Sequence, residues 1–331
     1  MAKFIGRQQS VGIGRETTRG TVVVPSMWLP KVNFTVEDRV VKARVQGSYG
    51  NILGGDDALV AAINAQGDLE FEAQDDGLAL ILYAVFGGLS TGAFNSVYKH
   101  TLTIANSVQH QSLSLHMNDP IGSAAAPNGK TVVYPRAMID EFELSSRQGE
   151  LVMCNASFLA GGHKDWARQT ESFSAQNKFT SKHASIKVAA DLASLDAAST
   201  INVHELTLNI KKNTEIENSL GTVQPVDILN KKIEISGKLK LTYEDRTYRD
   251  YMTNGTKKAL RISLLNGDVT IGTTNPALQL DLPIVDFDQW APAQANDDLA
   301  TQEIMFMALY DVDNDILIGA NTFVVNETTS Y

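Results

Sequence analysis

The residues whose types could do chemistry are few, and their spacing does not suit it. Gly88-Leu89-Ser90-Thr91-Gly92 has the letters of a nucleophile elbow. That turn needs a strand before the serine and a helix after it. Here a helical stripe, Leu78, Leu82 and Phe86, comes first, so the segment reads as the loop that ends a helix. Asp311-Val312-Asp313-Asn314-Asp315 resembles the start of a calcium loop, but the sixth and twelfth positions are Ile316 and Thr322 where Gly and Glu are required. A hairpin turn at Asp313-Asn314 is expected instead. Gly12-Ile13-Gly14 lacks the third glycine and the preceding strand of a dinucleotide loop. His100, His110, His116, His163, His183 and His204 show no metal spacing, and the only cysteine is Cys154, so no zinc signature exists. His204-Glu205 falls on a strand pattern, away from any metalloprotease helix. Cys154 lies in the strand pattern 150–158 and reads as a buried thiol without a disulfide partner. No nucleophile, base and orienter come together. The expectation is a non-enzyme with no cofactor and no metal.

The remaining chemistry is charge. Between 54 and 76 the acids are Asp56, Asp57, Asp68, Glu70, Glu72, Asp75 and Asp76, with no Lys or Arg. Asp68, Glu70 and Glu72 alternate with Leu69 and Phe71, so they share one face of one strand, opposite the core. Like charges at that spacing repel, so the face needs solvent or a basic partner.

The element that positions them is repeated. Residues 233–265 read as strand, helix, strand. Ile233, Ile235, Gly237, Leu239, Leu241 and Tyr243 alternate with polar residues, the period of a half-buried strand. Glu244-Asp245 suits a helix N-terminus. Tyr248, Tyr251 and Met252 form one stripe, and Asn254-Gly255 stops the helix. The same order occurs earlier: Gly67-Asp68-Leu69-Glu70-Phe71 matches Gly237-Lys238-Leu239-Lys240-Leu241, and Asp75 matches Asp245. Gly87-Gly88 ends the first helix, and Gln111-Ser112-Leu113-Ser114-Leu115 resembles the exit strand at 259–265. Two copies of one unit are expected. Lys238 and Lys240 then stand where the first copy has Asp68 and Glu70.

These motifs, the Asn254-Gly255-Thr256 before a strand, and the opening Val11-Gly12-Ile13-Gly14-Arg15-Glu16-Thr17-Thr18-Arg19-Gly20-Thr21 resemble the tail tube proteins of long-tailed bacteriophages. The likeness covers most of the chain and is thinnest over 161–200. It implies a mainly β fold with one main helix per domain, in tandem tail-tube-like sandwich or barrel domains. It also implies a structural virion protein, assembled in the host cytoplasm into stacked rings around a DNA channel. Single-domain relatives form hexameric rings, so a tandem copy would build the ring from three chains. The implied partners are the chain itself, tape-measure and tail-terminator proteins, and double-stranded DNA in transit without specific binding. The host membrane is involved only indirectly.

Composition agrees. At 331 residues, two domains are the natural count. The net charge of -10 argues against general affinity for DNA or anionic lipid. No apolar run reaches the length of a membrane helix, and the N-terminus lacks a secretory h-region. The expected organisation is an N-terminal arm over 1–30, a first domain over 31–160, a connection over 161–202 and a second domain over 203–331. The arm, with Arg15, Arg19 and Trp28, and the loop 46–57, with Gly47, Tyr49, Gly50 and Gly54, are the candidates for ring-to-ring contact. Within 161–202, a short strand at 184–188 and a helix at 190–198 are expected. The strand 303–310 is expected to form a hairpin with 316–325.

Three roles stay open for Asp68, Glu70 and Glu72: a solvated outer face, a channel wall that repels phosphates, or pairing with Lys238 and Lys240 across a subunit boundary. The alternative function is a β-rich baseplate, adhesin or carbohydrate-binding module.

Overall fold

The computed structural model of the chain describes residues 5–50, 52–53, 57–120, 130–174, 176–293, 298–329 and 331. Among the described residues the fold is mainly β with two α-helices, and its centre is one antiparallel sheet. Lys31–Arg44, Ala58–Glu72, Met153–Gly161 and the C-terminal part of Thr131–Arg147 pair in that order. Val203–Lys211, Glu234–Thr242, Thr301–Ala308 and the C-terminal part of Ala277–Ala293 do the same. The two sets join where residues 205–211 lie antiparallel to residues 141–147. Eight strands therefore form one continuous sheet.

The pairing pattern repeats to the residue. Gly67 lies between Val36 and Phe158, and Gly237 between Leu208 and Phe306. The phenylalanine ring covers the glycine in both places, where a Cβ would collide with it. One irregularity falls between Lys31 and Asn33 and again between Val203 and Glu205. Another falls between Ile139 and Glu141 and again between Phe287 and Gln289. The extra residue is Asp140 in the first case and Asp288 in the second. Such bulges bend a strand locally.

Thr131–Arg147 and Ala277–Ala293 each run 17 residues, long enough to serve two layers. Their N-terminal parts leave the eight-stranded sheet and pair with Leu113–Asn118 and Lys258–Leu265. Pro135 and Pro283 mark the same step in these departures, beside a register shift in each ladder. Proline suits such a place because it has no N–H to give to a ladder. Ser10–Arg15 extends the first outer layer and Ala184–Ala189 the second.

Asp75–Phe86 and Thr247–Asn254 pack on the inner face of the eight-stranded sheet, where Leu69, Phe71, Phe142, Phe158, Leu206, Leu239 and Phe306 join one core spanning both halves. Residues 78–82 and 84–86 are buried, so the first helix is apolar all round. Both helices end at a left-handed glycine, Gly87 (φ 82) and Gly255 (φ 62).

Several expectations are met differently. Residues 88–92, read as a loop that ends a helix, lie in the strand Gly87–Phe94, which pairs with Val97–Ile104. Residues 10–15, read as part of an arm, pair with residues 27–29 and with Leu113–Asn118 of the same chain. Within the connection 161–202 the expected strand is found at Ala184–Ala189, while Lys164–Trp166 adds a strand that was not expected and Phe179 is fully buried. Residues 190–198 make turns instead of a helix, because Leu195 is the only side chain there with a buried site. The strand 303–310 has no hairpin with 316–325: Phe323–Asn326 pairs with residues 277–279 and with Val97–Ile104, and only Asp311 and Ile316 bridge across the turn.

Candidate assembly surfaces

The outer face of the eight-stranded sheet is polar and uncovered. Leu69 and Phe71 are 1% and 0% exposed, while Asp68, Glu70 and Glu72 point to the other side. Asp68 accepts hydrogen bonds from Ser157 (2.6 Å) and Thr35 (3.4 Å). Glu70 faces Asn33 and Asn155 across the ladders, and Glu72 pairs with Lys178. Glu143, on the next strand but one, faces Asn155 and Asn209. Among the described residues, no ion pair neutralises Asp68, Glu70 or Glu143.

In the second half, Lys238 and Lys240 occupy the matching sites on the same face. Lys238 pairs with Glu303 at 2.8 Å and Lys240 approaches Glu205 at 3.9 Å. Arg147 also reaches Glu205 (3.2 Å), and Lys211 reaches Glu141 (4.0 Å), across the junction between the halves. Thr301–Ala308 and Ala277–Ala293 separate the two lysines from the end of the sheet.

Both ends of this sheet are open. Among the described residues, nothing pairs with the outer side of Lys31–Arg44 or of residues 286–293. Lys31–Arg44 and Ala58–Glu72 also extend beyond their neighbour, since Met153–Gly161 covers only residues 64–72. The rest projects as a two-stranded ribbon. Its apolar side chains Val40, Val41, Leu59 and Val60 are 44–59% exposed. Gly47, Tyr49 and Gly50 lie in its tip, with Gly50 at φ 73; Gly54 is outside the described residues. The ribbon's base is held by Ile63 N–H to the Val223 carbonyl (2.7 Å).

Arg15, Arg19 and Trp28 are tied into their own chain. Arg15 lies over the Tyr83 ring, 5.1 Å from its centroid, and donates to Gln111. Trp28 is 4% exposed. Arg19 grips Asp227 through Nε and Nη2 (2.9 and 2.6 Å) and donates to the carbonyls of His110 and Ile228. Burial pushes the Asp227 carboxyl up, but the bonds and charge of Arg19, the Ile228 N–H and Gln109 together outweigh it and hold the group below the usual carboxylate range.

Two buried groups here were not anticipated. Lys212 is 0% exposed and donates to the Ala84 carbonyl (2.9 Å) at the C-terminal end of the first helix. His110 places Nδ1 3.0 Å from the next carbonyl, Val85. Free carbonyls at a helix end attract donors and positive charge. A signal for Lys212 exists in the sequence: it continues the even-numbered apolar register of Leu206, Leu208 and Ile210. Glu16 is the other, a 3% exposed carboxylate that accepts from Ser112 and Ser114 and from the N–H of Gly20 and Arg136. Cys154 is buried, which pushes its thiol pKa up and makes it unreactive. Among the described residues, no three His, Cys, Asp or Glu side chains converge on a metal position.

An uncovered polar sheet face, two open edges and a projecting apolar ribbon are the features of a subunit built to join others, and the class they define is a self-assembling structural protein. The family model for the phage tail tube protein matches residues 6–318, and the chain belongs to that family. It is a structural component of the phage tail that assembles into a tube. No curated protein matches the chain.

Proposed function

We propose that three chains, each a tandem copy of one tail-tube unit, close edge to edge into a ring, and that rings stack into the tube of a long-tailed phage. The observation that carries this is the pair of open edges at opposite ends of one sheet. An exposed edge is a template for pairing with another chain, and closing a barrel removes it. Three chains would bring three times the eight strands of one chain. Barrels of 16–18 strands already leave an aqueous channel. At about 4.8 Å per strand the wall would measure roughly 115 Å around, a bore of about 37 Å between backbones before tilt widens it.

In this ring the polar face lines the lumen and the helices lie outside it. Asp68, Glu70 and Glu72 then meet the transiting DNA as like charges, and phosphates find no basic wall to hold them. The ribbon built from residues 37–50 and 57–63, with Gly47, Tyr49 and Gly50 at its tip, is the contact to the next ring, and Gly54 is assigned to the same contact from the sequence alone. Arg15, Arg19 and Trp28 support this contact by fixing the N-terminal strands. The tube grows in the host cytoplasm around a tape-measure protein, is closed by a terminator, and serves DNA ejection.

Negative-stain microscopy of the purified protein tests this reading. Rings or tubes with threefold symmetry are expected. Discrete globules at all concentrations and salts would overturn it in favour of a baseplate or adhesin module.

A further inference from the structure

The junction inside the chain gives a template for the junction between chains. Inside, residues 141–147 of the first half lie against residues 205–211 of the second, with Phe142 facing Ile210, Leu144 facing Leu208 and Ser146 facing Leu206. All six lie on the core side and are buried: Phe142 1%, Leu144 2%, Leu206 2%, Leu208 3% and Ile210 1% exposed, with Ser146 at 8%.

The open edges carry the counterparts of these strands. The repeat puts Trp290 at the place of Phe142 and Pro292 at that of Leu144, counting from the matching bulges at Asp288 and Asp140. It puts Phe34 at the place of Leu206 and Val36 at that of Leu208, counting from the matching glycines. Trp290, Phe34 and Val36 all pack on the core, yet each is only partly buried. Apolar groups that are covered at the inner junction are half-covered at both open ends, except at the place of Ile210, where the edge carries the exposed Asp38. That is the pattern of one interface cut in two.

We infer that residues 35–39 of one chain pair antiparallel with residues 289–293 of a second copy in a single register: Thr35 opposite Ala293, Val36 opposite Pro292, Glu37 opposite Ala291, Asp38 opposite Trp290 and Arg39 opposite Gln289. Trp290 is the anchor of this contact. It is already oriented, with its indole N–H on Gln302 Oε1 at 2.8 Å and its ring 6.4 Å from that of Tyr243. Large, preorganised aromatics of this kind dominate interface energetics. The inference rests on the ring reading and adds its register and its anchor.

The two junctions differ in strength. The inner one is crossed by the Lys211–Glu141 and Arg147–Glu205 pairs. The outer one places Arg39 opposite Gln289, Glu37 opposite Ala291 and Thr35 opposite Ala293, with no charge pair. Pro292 has no N–H to donate. A proline on an edge strand also restrains indiscriminate pairing of that edge. The contact between chains is therefore the weaker one, with Asp38 facing Trp290 and no ion pair across the opposed positions.

Disulfide trapping tests the register. Directly opposed residues have Cα atoms about 4.5–5.5 Å apart, within the range a disulfide spans. Assembled tubes of the full chain carrying Thr35→Cys with Ala293→Cys are oxidised and run without reductant. Covalent chain trimers are expected, with the buried Cys154 silent. The offset pair Arg39→Cys with Ala293→Cys should stay monomeric. Efficient linking of the offset pair, or no linking of the first pair in well-formed tubes, overturns the register while leaving the ring. Failure of the unmodified chain to assemble strikes the ring reading itself. Trp290→Ala should still fold, with a lower melting point from the lost core packing and Gln302 bond, yet lose assembly at least tenfold in critical concentration at temperatures where it is fully folded, with Trp290→Phe restoring most of it. Normal assembly of Trp290→Ala removes the anchor. If Trp290→Ala does not fold, the cysteine pairs still decide.

Discussion

The chain makes the same strand-to-strand connection twice and puts it to opposite uses. In the first half, Lys31–Arg44 runs outward, turns, and returns as Ala58–Glu72, leaving Val40, Val41, Leu59 and Val60 exposed. In the second half, Val203–Lys211 stops, and the chain folds inward as the small hairpin Glu215–Glu217 with Asp227–Leu229. That hairpin is fastened to the first half by Asp227 with Arg19 and by Asn230, which accepts from the His110 N–H. The two paths part just after Arg39 and Lys211, which the repeat makes equivalent. The next residue is Val40 in one and Lys212 in the other. Val40 stays outside, while Lys212 goes in and caps the first helix. One connection has been spent on holding the two halves together, which leaves the other free to reach a neighbour.

The strongest way to break this comparison is at the fastener. Asp227 is largely buried, and Arg19 would keep its charge among carbonyls if the carboxylate were removed. Breaking one side of such a pair costs about 3–5 kcal/mol. Asp227→Ala should lower the urea midpoint accordingly. A change below about 0.5 kcal/mol, the size of an ordinary surface substitution, would show that the inner hairpin is ornamental.

The second test uses pH. Burial, with help from the Arg19 charge and against the pull of Asp140, lowers the Lys212 pKa from the ordinary lysine value to about 7. The unfolded chain keeps this proton up to about pH 10.4. Between those two values the unfolded state binds more protons than the folded one, so stability rises with pH across this window. Below pH 7 the penalty is present in full. Lys212→Met should flatten that slope and gain on the order of 2–4 kcal/mol at pH 7, less the lost bond to Ala84. Urea midpoints at several pH values from 7 to 10 measure both. An unchanged slope would mean that the burial of Lys212 is not what sets it.

The contrast also explains what was legible in the sequence. The strand at 233–242, the two helices and the alternation of Asp68, Glu70 and Glu72 were readable because period and caps are local. The repeated strand pairing around Gly67 and Gly237 was visible in their motifs for the same reason. The position of the first 30 residues was not, because Ser10–Arg15 owes its place to a strand about a hundred residues away, and polar, glycine-rich composition carries no trace of that partner. The supposed hairpin 303–310 with 316–325 failed likewise: Phe323–Asn326 satisfies its backbone on residues 277–279 and 98–101. Lys212 lay in plain sight on an apolar register, and its charge led away from the core reading.

A third test separates folding from assembly. Replacing Val40, Val41, Leu59 and Val60 together by Ser or Thr touches only the projecting ribbon. Stability should shift by less than about 1 kcal/mol, as exposed sites generally do, while tubes shorten to isolated rings or short stacks under the microscope. Long, normal tubes would mean that the outstretched connection is not the ring-to-ring contact.

The smallest effect on folding, and the one that bears most on the channel, is expected from charge reversal on the polar face. The two halves differ here as well. Lys238 and Lys240 have Glu303 and Glu205 nearby, so the second half is close to balanced. Among the described residues, Asp68, Glu70 and Glu143 have no such ion pair, which concentrates unneutralised negative charge on the first half. In a ring of three chains, acidic and balanced panels would alternate around the wall. At physiological salt, fields fade over about 8 Å, so DNA in such a bore would sense the panel it is passing more than the average of the ring. Replacing Asp68, Glu70 and Glu72 by Lys would turn the repelling panels into phosphate-binding ones. Because Asp68 is exposed and the other two only partly buried, the fold should lose little beyond the Ser157 bond and the Lys178 pair. Tubes should form, and DNA release from particles carrying the variant should slow, more at low salt than at high salt, as counterion-driven contacts do. Release at the parent rate from normal tubes would place these carboxylates on a solvated surface away from the DNA path. Loss of assembly would instead assign them to a contact between chains.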